Sequence, residues 1–251
     1  MSDRIVIGDI HGSPLWKNIL KREKPNQVIF LGDFFDSFDI SIENQINNFK
    51  EIINYKRNNE FVDVILLIGN HDFHYLTGVN ERYSGYSDET YYQVHDLLGE
   101  LIDKGEMSMI YIDELNQSIY SHAGVSSKWL DNSAENNIEL INSLAYKYFY
   151  FTYRDGGDWF GSSPYNSPLW VRPNGLLLNP YKDRDNKIWT QIYGHTNVEY
   201  PVITPMGNVN FYDIDCLNKG WYLVEELTWQ NKISKRKLKN IFEIDDYKTM
   251  L

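Results

Sequence analysis

The 251-residue sequence predicts a layered α/β fold, and three observations carry that expectation. Apolar runs of strand length alternate with longer segments of helical spacing. The runs end repeatedly in Gly-Asp, Gly-Asn or Gly-His. Hydrophobic residues make up 42%, enough for a substantial core and too many for wholesale disorder.

Residues 4–7 read as a short strand ending at Gly8-Asp9. Residues 14–22 read as a helix with Pro14 near its start, broken by Pro25-Asn26. The apolar run 28–31 again ends in Gly-Asp. Ile42, Ile46, Phe49, Ile52 and Ile53 recur at helical spacing over 42–55. Residues 62–68 form the third strand, ending at Gly69-Asn70. Strand–helix–strand–helix–strand is the pattern of an at least partly parallel sheet. Residues 87–101 read as a helix, 107–112 and 117–121 as paired strands, and 138–151 as an aromatic-rich helix. The stretch 155–184 is heavy in Gly, Pro, Asn, Ser and Trp and long for a connector, which favours a functional loop or cap. Strands are expected again over 189–194, 209–213 and 220–225, resuming the sheet or building a second one. The basic run 232–239 reads as a solvated helix or a strand edge.

Lys and Arg number 24 against 35 Asp and Glu, a net charge of −11, which argues against a nucleic-acid partner. Two bound divalent cations would bring that charge to about −7 and make their site attractive to phosphate. The single cysteine, Cys216, excludes an intrachain disulfide framework and a multi-cysteine zinc site. No run approaches the ~18 apolar residues of a membrane span. The N-terminus MSDRIVIGDIHG starts a strand at once, without the layout of a signal peptide, so a soluble cytoplasmic protein is expected.

Five clusters carry the chemistry: Gly8-Asp9-Ile10-His11-Gly12, Gly32-Asp33-Phe34-Phe35-Asp36, Gly69-Asn70-His71-Asp72, Ser121-His122-Ala123-Gly124 and Gly194-His195-Thr196. Each glycine permits a tight turn, and each cluster puts an Asp, Asn or His at the carboxyl end of a strand. Four of the six histidines lie in these clusters. Oxygen and imidazole donors without a thiolate suit Mn, Fe, Zn or a mixed pair. Alone, Gly-Asp-x-His is equally a polar strand-to-loop turn, and Gly-His-Thr a histidine satisfied near a turn. Five in this order on strand ends are hard to produce by chance.

The motif order from Asp9 to His195 resembles that of the calcineurin-like metallophosphoesterases. Within them it resembles the phosphoprotein phosphatase branch, with its bacterial and phage serine/threonine phosphatases and symmetrical diadenosine tetraphosphate hydrolases. Gly-Asn-His-Asp-Phe-His-Tyr-Leu, residues 69–76, is close to the hydrolase form of the third motif. The last motif lacks the second histidine of many phosphodiesterase relatives. The resemblance implies a four-layer α/β/β/α sandwich of two mixed sheets forming one domain over residues 1–251, with residues 131–184 as a cap-like insertion over the active site. It implies two divalent metal ions about 3.5–4 Å apart, Mn foremost, with Fe, Zn, Ni or Co as alternatives. Asp9 and His11 would bind the first ion, Asp33 would bridge, and Asn70, His122 and His195 would bind the second. His71 would stay off the metals as general acid, oriented by Asp36. The implied reaction is phosphomonoester hydrolysis by direct attack of a metal-bridging hydroxide, with His71 protonating the leaving group and no phosphoenzyme.

Some positions depart from that pattern. The second motif of the protein phosphatases ends Asp-Arg-Gly, its arginine contacting substrate phosphate, whereas this chain has Asp36-Ser37-Phe38. Asp72 stands where eukaryotic-type phosphatases usually have Glu. Leu169-Trp170-Val171-Arg172-Pro173 resembles the segment that supplies an arginine between the fourth and fifth motifs. Arg172 is therefore a candidate substrate ligand, its guanidinium fork suiting phosphate, or else an exposed salt-bridging residue. His74 and His95 are expected to pack or hydrogen-bond, Asp213 and Asp215 to support the metal floor, and Cys216 to be unreactive. Trp159, Phe160, Tyr165 and Trp170 form either a small satellite core or a rim that stacks a nucleobase.

The leading expectation is a metal-dependent phosphatase acting on phosphoprotein or small phosphorylated metabolites. A nucleotide phosphohydrolase of the diadenosine tetraphosphatase type is the second, and a catalytically inactive binding scaffold with this fold the third. No membrane partner is expected.

Overall fold

The computed structural model describes residues 2–76, 85–132, 142 and 153–243. Its first half runs β1 (Ser2–Ile7), α1 (Leu15–Glu23), β2 (Gln27–Phe30), α2 (Ile42–Asn58), β3 (Asp63–Leu67), α3 (Asn70–Phe73) and α4 (Tyr91–Asp103). There follow β4 (Met107–Ser108), β5 (Ile110–Asp113), β6 (Ser118–Ser121), α5 (Ser127–Asn132) and α6 (Pro173–Leu178). The last elements are β7 (Thr190–Tyr193), β8 (Val202–Met206), β9 (Val209–Asp213), β10 (Trp221–Leu227) and β11 (Ile233–Asn240).

Period-2 alternation decides the layering. In β1, Ile5 and Ile7 join one apolar cluster and Val6 another; in β2, Val28 and Phe30 divide from Ile29 in the same way. A strand apolar on both faces must be covered twice. One face takes α1, α2 and α4, which bury Trp16 and Ile19, Phe49 and Ile52, and Val94 and Leu98. The other face meets a second sheet, with Val6, Ile29, Leu31 and Leu67 packed among Tyr120, Ile192 and Tyr212. Beyond the second sheet, Leu176 of α6 packs with Tyr193 and Phe211. Helices, sheet, sheet and helix stack in that order, the expected four-layer α/β/β/α arrangement.

The first sheet has the order β11-β10-β1-β2-β3-β4, in which β1 to β4 run parallel, β10 pairs antiparallel with β1, and β11 pairs antiparallel with β10. The second has the order β5-β6-β7-β9-β8, with β6, β7 and β9 parallel. The segment 107–112, expected as one strand, splits between the sheets. Residues 107–108 extend β3 in the first, and 110–113 pair antiparallel with β6 in the second. At the crossover the Met109 and Ile110 amides donate to Asn142 Oδ1. β8 carries Pro205 and half-exposed Val202 and Ile203, which hid it from a search for alternating strands; proline is tolerated because β8 is an edge. The basic run 232–239 is likewise an edge strand, with Lys and Arg discouraging further pairing. The helix expected over 138–151 lies outside the described residues, Asn142 excepted. Among the described residues no helix is long and apolar enough to cross a membrane.

A buried ionic group ties the sheets together. Arg4 of β1 contacts Asp113 of β5 at 2.8 Å and Glu225 of β10 at 3.0 Å, and donates to Tyr120 of β6 at 2.6 Å. Arg236 of β11 donates to the second Glu225 oxygen at 2.7 Å and to Ser118 at 2.7 Å. Glu225 is fully buried and Asp113 nearly so, so removing the central cation strands two carboxylates in a low-dielectric interior. Arg4→Ala should cost about 3–5 kcal/mol in urea unfolding. A loss below about 1 kcal/mol would mean that Arg236 alone compensates them.

Candidate metal centre

Parallel pairing brings the motifs to one edge. β1, β2 and β3 are in-register neighbours, so Asp9, Asp33 and Asn70 leave the first sheet side by side. β6 and β7 are parallel neighbours in the second sheet and deliver His122 and His195 to the same edge. The loops are laced together: the Ile10 and His11 amides donate to the Asp33 carbonyl at 3.0 and 2.7 Å, and Gly194 N–H donates to the His122 carbonyl at 2.8 Å. Two glycines are required by close approach. A Cβ on Gly69 would fall on the Asp33 carboxylate, and one on Gly194 on the Asp9 carboxylate. His11, Asp33, Asp36 and His195 all adopt positive φ, between 41° and 68°, a conformation that costs a non-glycine residue and gathers at functional sites.

Among the described residues, Asp9, Asp33 and His122 offer donor atoms that all lie within 4.8 Å of one another. Asp33 Oδ2 is central, 3.7 Å from His11 Nε2 and 3.5 Å from His122 Nε2. Asn70 Oδ1 is 2.7 Å from His122 Nε2 and 2.8 Å from His195 Nδ1. Asp33 thus gathers Asp9, His11 and His122, while Asn70 joins the group through His122, and His195 through Asn70. His11 Nδ1 is held by the Phe35 carbonyl at 2.6 Å and His122 Nδ1 by the Leu31 carbonyl at 3.1 Å, which leaves each Nε2 lone pair for the centre.

The electrostatics fit divalent cations. Burial, with Asp215 and Asp33 nearby, holds the Asp9 carboxyl well above its usual range. Burial raises Asp33 to about 8, with Asp72 and Asp215 adding to the effect and the His71 charge opposing it. Asp213 is pushed up to about 8 and Asp215 to about 6, chiefly by burial. The histidines move the other way. Desolvation and the neighbouring His71 bring His11 to about 4; desolvation, Arg172 and His71 bring His195 to about 3; and burial beside His195 keeps His122 well below its usual value. Neutral imidazoles among carboxylates that lack a counter-charge form a donor set completed by a hard or borderline cation. Among the described residues, Asp9, Asp33 and His122 form a group able to hold one.

Beside this set, His71 Nδ1 lies 2.9 Å from Asp36 Oδ2, and the His71 ring meets the His11 ring at 5.2 Å. Burial opposes a charge on His71, but Asp33 and Asp36 outweigh it and raise the group to about 9. Arg172 caps the start of α6 and makes no side-chain hydrogen bond or ion pair among the described residues, while its charge acts on His195, Asp213 and Asp215. Trp170, nearly buried, packs its ring 5.3 Å from His195, and the Arg154 guanidinium lies 5.0 Å from Trp170 and 3.7 Å from Trp159. His74 is buried 6.0 Å from the His71 ring, His95 Nδ1 bonds the Tyr75 carbonyl at 2.8 Å, and burial raises the Cys216 thiol to about 12.

The roles of three residues went unrecognised in the sequence. Asp72, fully buried, accepts from Phe34 N–H at 2.7 Å and Gly69 N–H at 2.9 Å, clamping the second motif to the third. A carboxylate three residues after the glycine that begins α3 is the capping arrangement that marks this role. Tyr75 donates to Asp36 at 2.7 Å. Arg154 lay just ahead of the loop singled out as 155–184 and had no motif to mark it.

Without metal, folding traps protons. Asp33 and Asp213 titrate near 8 and His71 near 9 when folded, against 3.8 and 6.5 for the free groups. Between pH about 6.5 and 9 the folded chain binds more protons than the unfolded one, so its stability falls as pH rises. The melting temperature of EDTA-treated protein should drop across that window and that of Mn²⁺-loaded protein should stay flatter. Parallel curves would sink this account.

The profile of the calcineurin-like phosphoesterases matches residues 4–220. No curated protein matches the sequence. Among solved structures, the chain is similar to a cold-active protein-tyrosine phosphatase of a psychrophilic Shewanella species, with 18% identity, TM-score 0.59, and 95% of this chain and 80% of that one covered. It also aligns with a candidate diadenosine tetraphosphatase (12% identity, TM-score 0.45, 95% and 93% covered). A metallophosphoesterase from Sphaerobacter thermophilus aligns at 11% identity and TM-score 0.44, with 89% and 82% covered. At these identities the first likeness speaks to fold alone, and the other two carry no argument. With the profile spanning all five motifs, the chain belongs to the calcineurin-like phosphoesterases, a family that uses divalent metals.

Proposed function

We propose that this protein is a binuclear metal-dependent phosphomonoesterase acting on phosphoprotein or small phosphorylated metabolites. The observation that carries the reading is the cluster of Asp9, His11, Asp33 and His122, with Asn70 joined to it through His122 and His195 through Asn70, beside a His71–Asp36 pair. Two divalent cations, when bound, supply a low-pKa water and charge neutralisation at phosphate oxygens; Mn²⁺ is our first choice. Asp9, His11, Asp33, Asn70, His122 and His195 would hold these ions, Asp9 and His11 toward one, Asn70, His122 and His195 toward the other, and Asp33 between them.

The remaining steps belong to the chain's own side chains. Asp36 occupies His71 Nδ1, so a proton for the leaving oxygen comes from Nε2. A His71 that keeps its charge to about 9 holds that proton at neutral pH. Arg172, with no partner of its own among the described residues, grips phosphate oxygens in place of the arginine missing after Asp36. The cap expected over 131–184 on the single domain lies within the described residues only at 131–132, 142 and 153–184, and a capping role there is supported by Trp170 lying against His195. A nucleotide phosphohydrolase is the second reading, favoured by the exposed Trp159 against Arg154 and by the exposed Phe160 next to it in the chain.

The test is Mn²⁺-dependent hydrolysis of p-nitrophenyl phosphate against bis-p-nitrophenyl phosphate. Monoester turnover that is lost with EDTA and lowered in His71→Ala is the expected result. Diester preference shifts the assignment to nucleotides or nucleic acid; no turnover of either by Mn²⁺-loaded protein leaves a demanding natural substrate or the inactive scaffold, which diadenosine tetraphosphate then separates. Arg172→Ala should lower kcat/KM on the monoester about 10- to 100-fold, the scale of losing a hydrogen bond to a charged group. Unchanged kinetics would remove Arg172 from the site.

A further inference from the structure

Asp36 has two carboxylate oxygens, and the His71 pair uses only one. Oδ2 faces His71 Nδ1 at 2.9 Å, while Oδ1 accepts from the Tyr75 hydroxyl at 2.7 Å. Asp36 and Tyr75 are both essentially buried, so neither oxygen is satisfied by bulk water. Tyr75 is itself restrained on several sides. The Ser87 N–H donates to its oxygen at 3.3 Å, Tyr86 stacks on its ring at 4.9 Å and 24°, Phe35 packs at 5.8 Å, and His95 bonds its carbonyl. Gly85, at φ +89°, lies so close to Asp36 that a Cβ there would come 2.7 Å from the Asp36 carbonyl oxygen. Residues 85–87 thus press on the Asp36 backbone and on the tyrosine that holds its side chain. Asp36 itself is at φ +66°, a conformation that needs such support.

We propose that Tyr75 is a positioning residue for the proton donor: its hydroxyl, backed by residues 85–87, fixes Asp36 and through it the ring of His71. A carboxylate on a single-bonded side chain rotates about its Cβ–Cγ bond. Anchoring Oδ1 stops that rotation and presents Oδ2 to His71 at one angle. Burial and the adjacent Asp36 carboxylate both raise the Tyr75 phenol, so it stays protonated and donates. When the phosphorus–oxygen bond breaks, the leaving oxygen takes the His71 proton with the bonding pair. Loss of ring alignment is therefore felt in proportion to how much that oxygen needs the proton. The inference rests on His71 being the acid.

The experiment compares benzyl phosphate, whose alkoxide leaving group needs protonation, with p-nitrophenyl phosphate, whose phenolate needs it much less. Both are assayed on the Mn²⁺-loaded full chain. Tyr75→Phe removes one oxygen and keeps the ring. It should lower kcat on benzyl phosphate about 10- to 100-fold, with a several-fold smaller loss on p-nitrophenyl phosphate and an unchanged Mn²⁺ isotherm. Gly85→Ala, which pushes on Asp36 from the other side, should give the same split. His71→Ala should show a larger split, and adding Tyr75→Phe to it should cost nothing more on benzyl phosphate. A split in His71→Ala but equal losses, or none, in Tyr75→Phe overturns the positioning role alone. Full additivity in the double variant does the same. No split in His71→Ala overturns the acid assignment and the positioning role together.

Discussion

Everything at this edge depends on burying the Asp33 carboxylate. It is only 2% exposed, it sits where the carboxyl ends of two sheets meet, and it is surrounded by other acids: Asp9, Asp72 and Asp215. A carboxylate in that position stays charged only if donors or cations compensate it. The His71 amide gives it one hydrogen bond at 2.8 Å, and the imidazoles of His11 and His122 stand within 4 Å on the same oxygen. Neutral imidazole lone pairs do not compensate a negative charge; they add to the demand for a positive one. The same feature that makes the site costly to fold makes it able to bind a cation.

Crowding explains the backbone around it. For Asp33 to lie beneath the third-motif loop, Gly69 must lack a side chain; for Asp9 to meet the His195 amide at 3.1 Å, so must Gly194. His11, Asp33, Asp36 and His195 turn through the left-handed region, each at a cost of about 1–3 kcal/mol. Such turns persist only on a scaffold that over-determines them. Here the scaffold is two sheets whose interior is apolar at one end and pinned by Arg4, Glu225 and Asp113. Asp72 and Gln45 complete the restraint: the first clamps two motif loops, and the second bonds the Ser37 amide and the Ile40 carbonyl in the loop after Asp36.

The legible part of the sequence was what repeats. Short apolar runs at 4–7 and 28–31 and helical spacing over 42–55 announced the first sheet and its helices, because each is written in neighbouring residues. The five glycine-bearing clusters were legible because glycine marks tight turns and close approach, and because the donor types are chemically narrow. What escaped was set by partners distant in the chain. The 107–112 run changes sheets at Met109, and no local period encodes which sheet a strand joins. β8 hid behind Pro205 and a solvated face. Asp72 and Tyr75 were seen only as motif letters, since their roles lie in bonds to residues 34 and 36.

The arginine missing after Asp36 has a physical consequence. A phosphate dianion approaching a chain of net charge −11 needs local cations, and screening confines their reach to about 10 Å or less at ordinary ionic strength. The second-motif loop offers Ser37 and Phe38 there, and Phe38 is exposed. Among the described residues, the guanidiniums of Arg154 and Arg172 near the site come instead from one segment. Arg172 follows Trp170 in the chain, and Arg154 stacks against the same Trp170 ring. That segment is braced from within, with Asp158 accepting from the Ser163 amide and Asn166, and its carbonyl accepting from Trp170 Nε1 at 2.7 Å. A cation carried by a braced segment is presented at low entropic cost, much as a motif arginine would be. Charge recognition moved from the second motif to this loop would couple phosphate affinity to the loop's own fold. Substitutions at Asp158 or Asn166, remote from the metal ligands, would then act on KM before they act on metal binding.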